Sequence, residues 1–201
     1  MREESSDNKA SYYEQLFAKM NQANILFKAR LTWYISKSCY KQMLIKVDKK
    51  EMKPAYQLVQ KAIQFYRIFK ETIDHNVDTH PTLSSFKSEE KCEEFMKKLQ
   101  KQSSILLAEI DIIQGEDIFT SATRVSENLN MDEVYDALDL FSNASKVAFA
   151  QNDVELEARC EAWLGKIYEK ALKKETKAMG HYSNVIRLAV TLRDGTDVTR
   201  Q

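Results

Sequence analysis

The 201-residue sequence contains few residues that interrupt helices, with only 4 glycines and 2 prolines. Charged residues make up 30% of the chain, and their formal charges cancel. Few helix breakers combined with many lysines and glutamates favour long helices joined by short connections. A chain of this length can bury roughly 70% of the surface that its unfolded form exposes, so it needs neither a disulfide nor a metal to fold.

Cysteines are also scarce. The 3 cysteines, Cys39, Cys92 and Cys160, are too far apart for a metal or redox motif, and their odd number argues against a secreted disulfide framework. Residues 1–10 lack the apolar core of a signal peptide, and no segment approaches the roughly 18 apolar residues of a membrane-spanning helix. We therefore expect a cytoplasmic protein with buried free thiols.

Residue patterns typical of catalysis are missing as well. His75 and His80 have no acidic or cysteine partner at the spacing of metal ligands. Cys160 lies 21 residues before His181, but a buried structural thiol is favoured over a catalytic Cys–His pair. The sequence has no glycine-rich phosphate loop, zinc-protease motif, nucleophile elbow or calcium loop. We expect no enzymatic activity, and hence no catalytic residues, metal or cofactor.

Apolar residues recur at helical spacing along most of the chain, which predicts an all-α fold of about seven helices. After a disordered tail at residues 1–8, Pro54 fits the first turn of one helix and Ser88 the start of another, which Gly115 is placed to end. The helices predicted in this part cover residues 9–47 (as one helix or two), 54–73, 88–114 and 116–128.

The C-terminal part begins with a capping box formed by Asn130 and Glu133, and Asn152 with Glu155 repeats the device. Gly180 lies inside the last predicted helix, where it should cost about 1 kcal/mol relative to alanine. The helices predicted here cover about residues 130–151, 152–174 and 175–192. Residues 195–201 are expected to be a tail or the start of a truncated further helix.

An internal repeat spans this part. Between its two copies, Leu164 and Gly165 are followed three residues after the glycine by Tyr168. The repeat consists of Ala137, Phe141, Ala144 and Ala148, followed 41 residues later by Ala178, Tyr182, Val185 and Ala189. Small residues allow two antiparallel helices to approach closely, and the aromatic side chain fills the space where the hairpin widens.

These motifs resemble the tetratricopeptide-repeat family over residues 131–194, in its type with longer repeats of about 40 residues. No proline closes either copy, and the rest of the chain lacks the signature. The resemblance implies antiparallel helical hairpins stacked as a short α-solenoid, and a scaffold or adaptor that binds a peptide or helix of another protein. It also implies a partner-facing first helix with Arg159, Ala162, Lys166 and Glu169.

Charge is unevenly distributed: residues 1–100 carry 18 basic and 13 acidic residues, and residues 101–201 carry 12 and 17. Between Lys28 and Lys70, 11 basic residues accompany only Asp48 and Glu51. This basic stretch could bind an acidic protein segment, RNA or an anionic membrane, or its lysines could simply be solvated. Because the net charge is zero, and nucleic-acid-binding domains usually carry a net positive charge, a protein partner is favoured over nucleic acid. Its candidate binding residues are Lys37, Lys41, Lys46, Lys49 and Lys50.

Overall fold

A computed structural model describes residues 11–17, 24–76, 78–79, 83, 89–124 and 129–194. The described residues form helices and connecting turns without any strand, and neighbouring helices pack as hairpins (α2 on α3, α5 on α6, α6 on α7), which confirms the all-α prediction. The tails predicted at 1–8 and 195–201, together with His80 and Ser88, lie outside these residues. The helices are α1 (11–17), α2 (Ile25–Asp48), α3 (Met52–Asp74), α4 (Glu89–Arg124), α5 (Met131–Gln151), α6 (Val154–Lys170) and α7 (Glu175–Asp194).

The helical region predicted over residues 9–47 contains two helices, α1 and α2. Asn24 is the N-cap of α2, and its side chain accepts a hydrogen bond from the backbone N–H of Phe27 at 3.0 Å. An asparagine oxygen in this position satisfies a backbone donor that has no partner inside the helix. The start of α2 is therefore encoded by its own cap.

Gly115 does not end a helix, so the prediction of separate helices over 88–114 and 116–128 was wrong. Helix α4 continues through Gly115 to Arg124. A Cβ atom on this glycine would lie 3.0 Å from two ring carbons of Phe141 in α5. The glycine serves the close approach of two helices rather than the termination of one.

The turn between α5 and α6 also differs from the prediction. Asn152 is the C-cap of α5 in the left-handed conformation (φ 54°), and Asp153 is the N-cap of α6, accepting from the N–H of Leu156 at 3.0 Å. Asparagine tolerates positive φ better than most residues, which explains its place at the end of α5. Asn130 caps α5 as predicted, accepting from the N–H of Glu133.

The chain divides into two units, residues 1–106 and 107–201, at a point inside α4. The boundary is different from the one expected near residue 129, because the second half of α4 packs with α5 through Gly115. In the first unit α2 packs on α3, and the buried hydroxyl of Ser36 donates to the carbonyl of Ala62 at 2.7 Å. The other core residues between these helices include Ile35, Met43, Val59, Phe69 and Ile73.

In the second unit the second half of α4 is followed by α5, α6 and α7. Ala137 and Ala178, which the repeat places at tight helix crossings, are 0% and 2% exposed. Phe141 and Ile167 are fully buried beside them. Both alanines thus lie at helix–helix contacts, as the stacking of hairpins requires.

Candidate protein-binding surface

The second unit repeats one glycine–aromatic contact. In α6 and α7, a Cβ atom on Gly165 would lie 2.6 Å from a ring carbon of Tyr182, just as Gly115 of α4 lies under Phe141 of α5. The second half of α4 and α5 are therefore joined by the same glycine–aromatic contact as α6 and α7. The repeated unit begins in α4, earlier than the sequence pattern indicated.

Two rows of side chains occupy equivalent positions on these first helices. On α6 the row consists of Arg159, Trp163 and Lys166, at spacings of four and three residues that place them on one helix face. Fifty residues earlier, α4 carries a row with the same spacing, made of Glu109, Ile113 and Glu116. We call these six residues the paired rows.

Direct contacts join the paired rows. Nη1 of Arg159 donates to both carboxylate oxygens of Glu109, at 3.0 and 2.9 Å, and Nε1 of Trp163 donates to Oε1 of Glu116 at 2.8 Å. Because residue number increases in the same direction along both helices from the first contact to the second, α4 and α6 run parallel here. The surface therefore presents two parallel helices held together by charged and polar groups.

The indole of Trp163 is fixed on several sides. One ring face stacks on Phe141 with 5.5 Å between centroids and an interplanar angle of 8°, and the Phe119 ring makes a T-shaped contact with the indole. The Nζ of Lys166 lies 3.8 Å from the centroid of the indole ring, within the range of a cation–π interaction. Trp163 remains partly accessible, and Ile113 beside it is 40% exposed.

The residues that the sequence predicted to face a partner lie in two different surroundings. Arg159 and Lys166 belong to the paired rows, whereas Glu169 accepts a hydrogen bond at 2.8 Å from the hydroxyl of Tyr182 and so ties α6 to α7. Trp163, the central residue of the α6 row, was not among the predicted residues. Its signal was available, since it is spaced four and three residues from Arg159 and Lys166.

The residues of the repeat signature line the helix contacts beneath this surface. Phe141, Ala144 and Leu164 are buried, Gly165 underlies Tyr182, and the ring of Tyr168 stacks on His181 with 5.2 Å between centroids. They hold the hairpins together, and Phe141 also supports the paired rows from beneath by stacking on Trp163.

A buried carboxylate connects α5, α6 and α7. Glu161 accepts from Oγ of Ser145 at 3.2 Å and from Nδ2 of Asn184 at 2.9 Å, and Nδ1 of His181 lies 3.0 Å from it. Cys160, next to Glu161 in the chain, is fully buried, and this burial raises the pKa of its thiol to about 12. His181 is thus engaged by a carboxylate, and the thiol is kept in its neutral form.

The candidate lysines of the basic stretch lie on the outside of α2 and at the turn to α3. Lys46 pairs with Glu51 at 2.8 Å, and Nζ of Lys37 lies 4.5 Å from the ring centroid of Trp33. Lys41, Lys49 and Lys50 are exposed. Among the interleaved aromatic residues, Tyr34 is exposed, while Trp33, Tyr40, Tyr56 and Tyr66 are wholly or partly buried in the packing of the first unit.

None of the helices in the described ranges combines the length and the apolar character that crossing a membrane requires. Comparisons with protein-family models, with curated proteins and with solved structures gave no significant match.

Proposed function

We propose that this protein is a non-catalytic, cytoplasmic scaffold or adaptor that binds a peptide or a helix of another protein across the paired rows. The observation that carries the proposal is the alignment of Arg159, Trp163 and Lys166 beside Ile113 on one accessible surface. Arginine and tryptophan are enriched among the few interface residues that dominate binding free energy. The resemblance of this part of the chain to tetratricopeptide repeats supports the same function.

The paired rows are already ordered without a ligand. The contacts of Trp163 with Phe141, Glu116 and Lys166 hold its indole in one orientation, and Glu109 holds the guanidinium of Arg159. Side chains that are immobile before binding lose little conformational entropy in a complex. Such a surface can bind a short segment with useful affinity even though its area is small.

The chemistry of the paired rows indicates what the segment should contain. Ile113 and Trp163 offer apolar contact at the centre, while Glu109 and Glu116 flank them on α4 and Arg159 and Lys166 on α6. The best ligand is an amphipathic segment with one large apolar side chain, placed between groups of both charge signs. In the unbound protein the carboxylate of Glu109 accepts a hydrogen bond from the guanidinium of Arg159, so an acidic ligand group must displace this carboxylate to bind Arg159.

The basic stretch supports binding of RNA or anionic membrane less well. Stacking of bases needs accessible aromatic rings, and most aromatic side chains of this stretch contribute to the packing of the first unit. A charge-driven complex also weakens steeply with salt, whereas an apolar anchor does not. Salt dependence therefore distinguishes the two functions.

Selection of a displayed random-peptide library against the purified protein tests the proposal. For the selected peptides we expect Arg159→Ala and Ile113→Glu each to weaken binding by about tenfold or more, as truncation of an interface anchor does. The triple variant Lys46/Lys49/Lys50→Glu is the matched control and should bind within about twofold of wild type. Circular dichroism establishes that every variant is folded.

The opposite pattern would contradict the proposal. If Arg159→Ala and Ile113→Glu leave the affinity for the selected ligands unchanged, the paired rows do not bind them. If binding disappears in the triple lysine variant and falls steeply between low and moderate salt, the basic stretch is the binding surface.

A further inference from the structure

Helix α7 carries an apolar stripe that no described residue covers. Met179, Ile186 and Val190 are 69%, 67% and 46% exposed. Together with Ser183 they follow spacings of four, three and four residues, which place all four on one face of the helix. We call these four residues the α7 stripe.

The internal repeat indicates what kind of element covers such a face. Forty-one residues before Ile186 and Ala189 lie Ser145 and Ala148 of α5. Ser145 donates to Glu161 of α6, and Ala148 is fully buried, whereas Ala189 is exposed. Of the other α5 positions equivalent to the stripe, Leu138 and Ser142 are half-buried and Phe149 is 54% exposed. In the first copy the following antiparallel helix therefore covers the middle of this face, at Ser145, and an antiparallel helix is the element that the α7 stripe fits.

We infer that the α7 stripe binds the α7 stripe of a second copy of this chain, with the two helices antiparallel. If the two-fold axis passes between Asn184 and Val185, Met179 lies opposite Val190 of the second copy. Ser183 then lies opposite Ile186 of the second copy, so that a small side chain makes room for a large one. This alternation is the arrangement that interlocks side chains between two packed helices.

Charge supports the same pairing. Glu175 and Arg193 lie on the same flank of the α7 stripe, 18 residues or five helical turns apart. In an antiparallel pair the equivalent flanks face each other, so Glu175 of each copy lies near Arg193 of the other. A parallel pair would keep Glu175 of one copy five helical turns from Arg193 of the other, so neither ion pair could form. Exposed ion pairs contribute little affinity, but they select orientation and register.

The contact uses one helix from each copy, so we expect a weak, concentration-dependent dimer rather than an obligate one. Its residues are distinct from the paired rows on α4 and α6. A test of dimerisation therefore gives a result that is independent of the proposed peptide binding.

Sedimentation equilibrium from about 5 to 500 μM measures the dimer directly. Wild type should show a monomer–dimer equilibrium, and Ile186→Glu should lower the association constant by about tenfold or more, because it buries a charge against its own copy. The matched control is Leu192→Glu, on the same helix and 50% exposed, but roughly 140° around the axis from Met179. Leu192→Glu should dimerise like wild type, and both variants should keep the wild-type circular dichroism spectrum.

Charge exchange tests the antiparallel register. Glu175→Arg and Arg193→Glu should each weaken the dimer about two- to fivefold at low salt, and the double variant should restore it, since each pair is then merely reversed. A protein that is monomeric at every concentration overturns the inference. A dimer that survives Ile186→Glu, or is lost equally in Leu192→Glu, also overturns it. Failure of the double variant to recover refutes the antiparallel register.

Discussion

The glycine–aromatic contact between α6 and α7 makes a sharp prediction for Gly165→Ala. A Cβ atom at this position would lie 2.6 Å from Cε1 and 2.8 Å from Cδ1 of Tyr182, whereas ordinary contacts begin at 3.4 Å. The ring would therefore have to move by about 0.8 Å. Its hydroxyl is held by Glu169 at 2.8 Å, so that movement strains or breaks a hydrogen bond.

Two opposing effects decide the outcome. Alanine in a helix interior gains about 1 kcal/mol over glycine, and overpacking of a tight contact costs about 1–3 kcal/mol. Because the overlap involves ring carbons and not the end of a flexible side chain, we expect the overpacking cost to exceed the helix-propensity gain, and Gly165→Ala to lower the free energy of unfolding by up to about 2 kcal/mol. Gly180 is the matched control, because nothing lies within 4 Å of its Cβ position. Gly180→Ala should therefore raise the free energy of unfolding by up to about 1 kcal/mol.

Urea unfolding measures both effects. The chain has 2 tryptophans, and Trp163 belongs to the second unit, so a Trp33→Phe background makes fluorescence specific for this unit. In a Tyr182→Ala background the steric cost of Gly165→Ala should vanish, and the substitution should become neutral or stabilising. If Gly165→Ala stabilises the wild-type protein as much as Gly180→Ala does, the close contact is not a determinant of the fold.

Three further predictions concern the second unit. Glu161→Ala should lower the free energy of unfolding by about 1–2 kcal/mol, because it removes the buried acceptor that joins Ser145 of α5 and Asn184 of α7 to α6. The exposed Asp139→Ala should change it by less than about 0.5 kcal/mol, and similar losses in urea unfolding would contradict this role. Asn152→Gly should be nearly neutral and Asn152→Val should cost about 1–2 kcal/mol, since φ is 54° here; equal effects in thermal unfolding would refute the left-handed cap. Burial raises the pKa of Cys160 from 9.0 to about 12, so its neutral thiol favours the folded state fully below pH 9 and progressively less as the pH rises towards 12. Cys160→Ala should accordingly flatten the alkaline decline of stability in urea titrations at successive pH values, and an unchanged decline would show that this thiol does not control it.

Most of the fold follows from the sequence because helix periodicity and the scarcity of breakers are local signals. The role of Gly115 was mistaken because a glycine that ends a helix and one that admits an aromatic ring look alike until the partner, Phe141, is known. The role of Asn152 was mistaken for a related reason. Asparagine serves both ends of a helix, and the adjacent Asp153 took the N-cap.

Only the α6 half of the candidate surface could be predicted from the sequence. Arg159 and Lys166 were predicted because the repeat places them on a first helix. The α4 row was missed because the two glycines, Gly115 and Gly165, are 50 residues apart, whereas the aromatic residues opposite them, Phe141 and Tyr182, are 41 apart. Most of this difference lies in the helices, because α4 continues nine residues past Gly115 where α6 continues five past Gly165, and α5 begins ten residues before Phe141 where α7 begins seven before Tyr182. No search at a single offset can find a repeat whose parts differ in length in this way.

The two-residue turn at Asn152 and Asp153 has a consequence for how the second unit folds. With so short a connection, the contacts between α5 and α6 join residues close in the chain, and forming them costs little loop entropy. Helix α7 packs on α6 across a longer connection, residues 171–174, and the α7 stripe stays exposed. We therefore expect amide hydrogens of the α5–α6 hairpin to be protected first during refolding. Those of α7 should exchange soonest in the native protein, and raising the protein concentration should slow that exchange if the stripe is covered by a second copy.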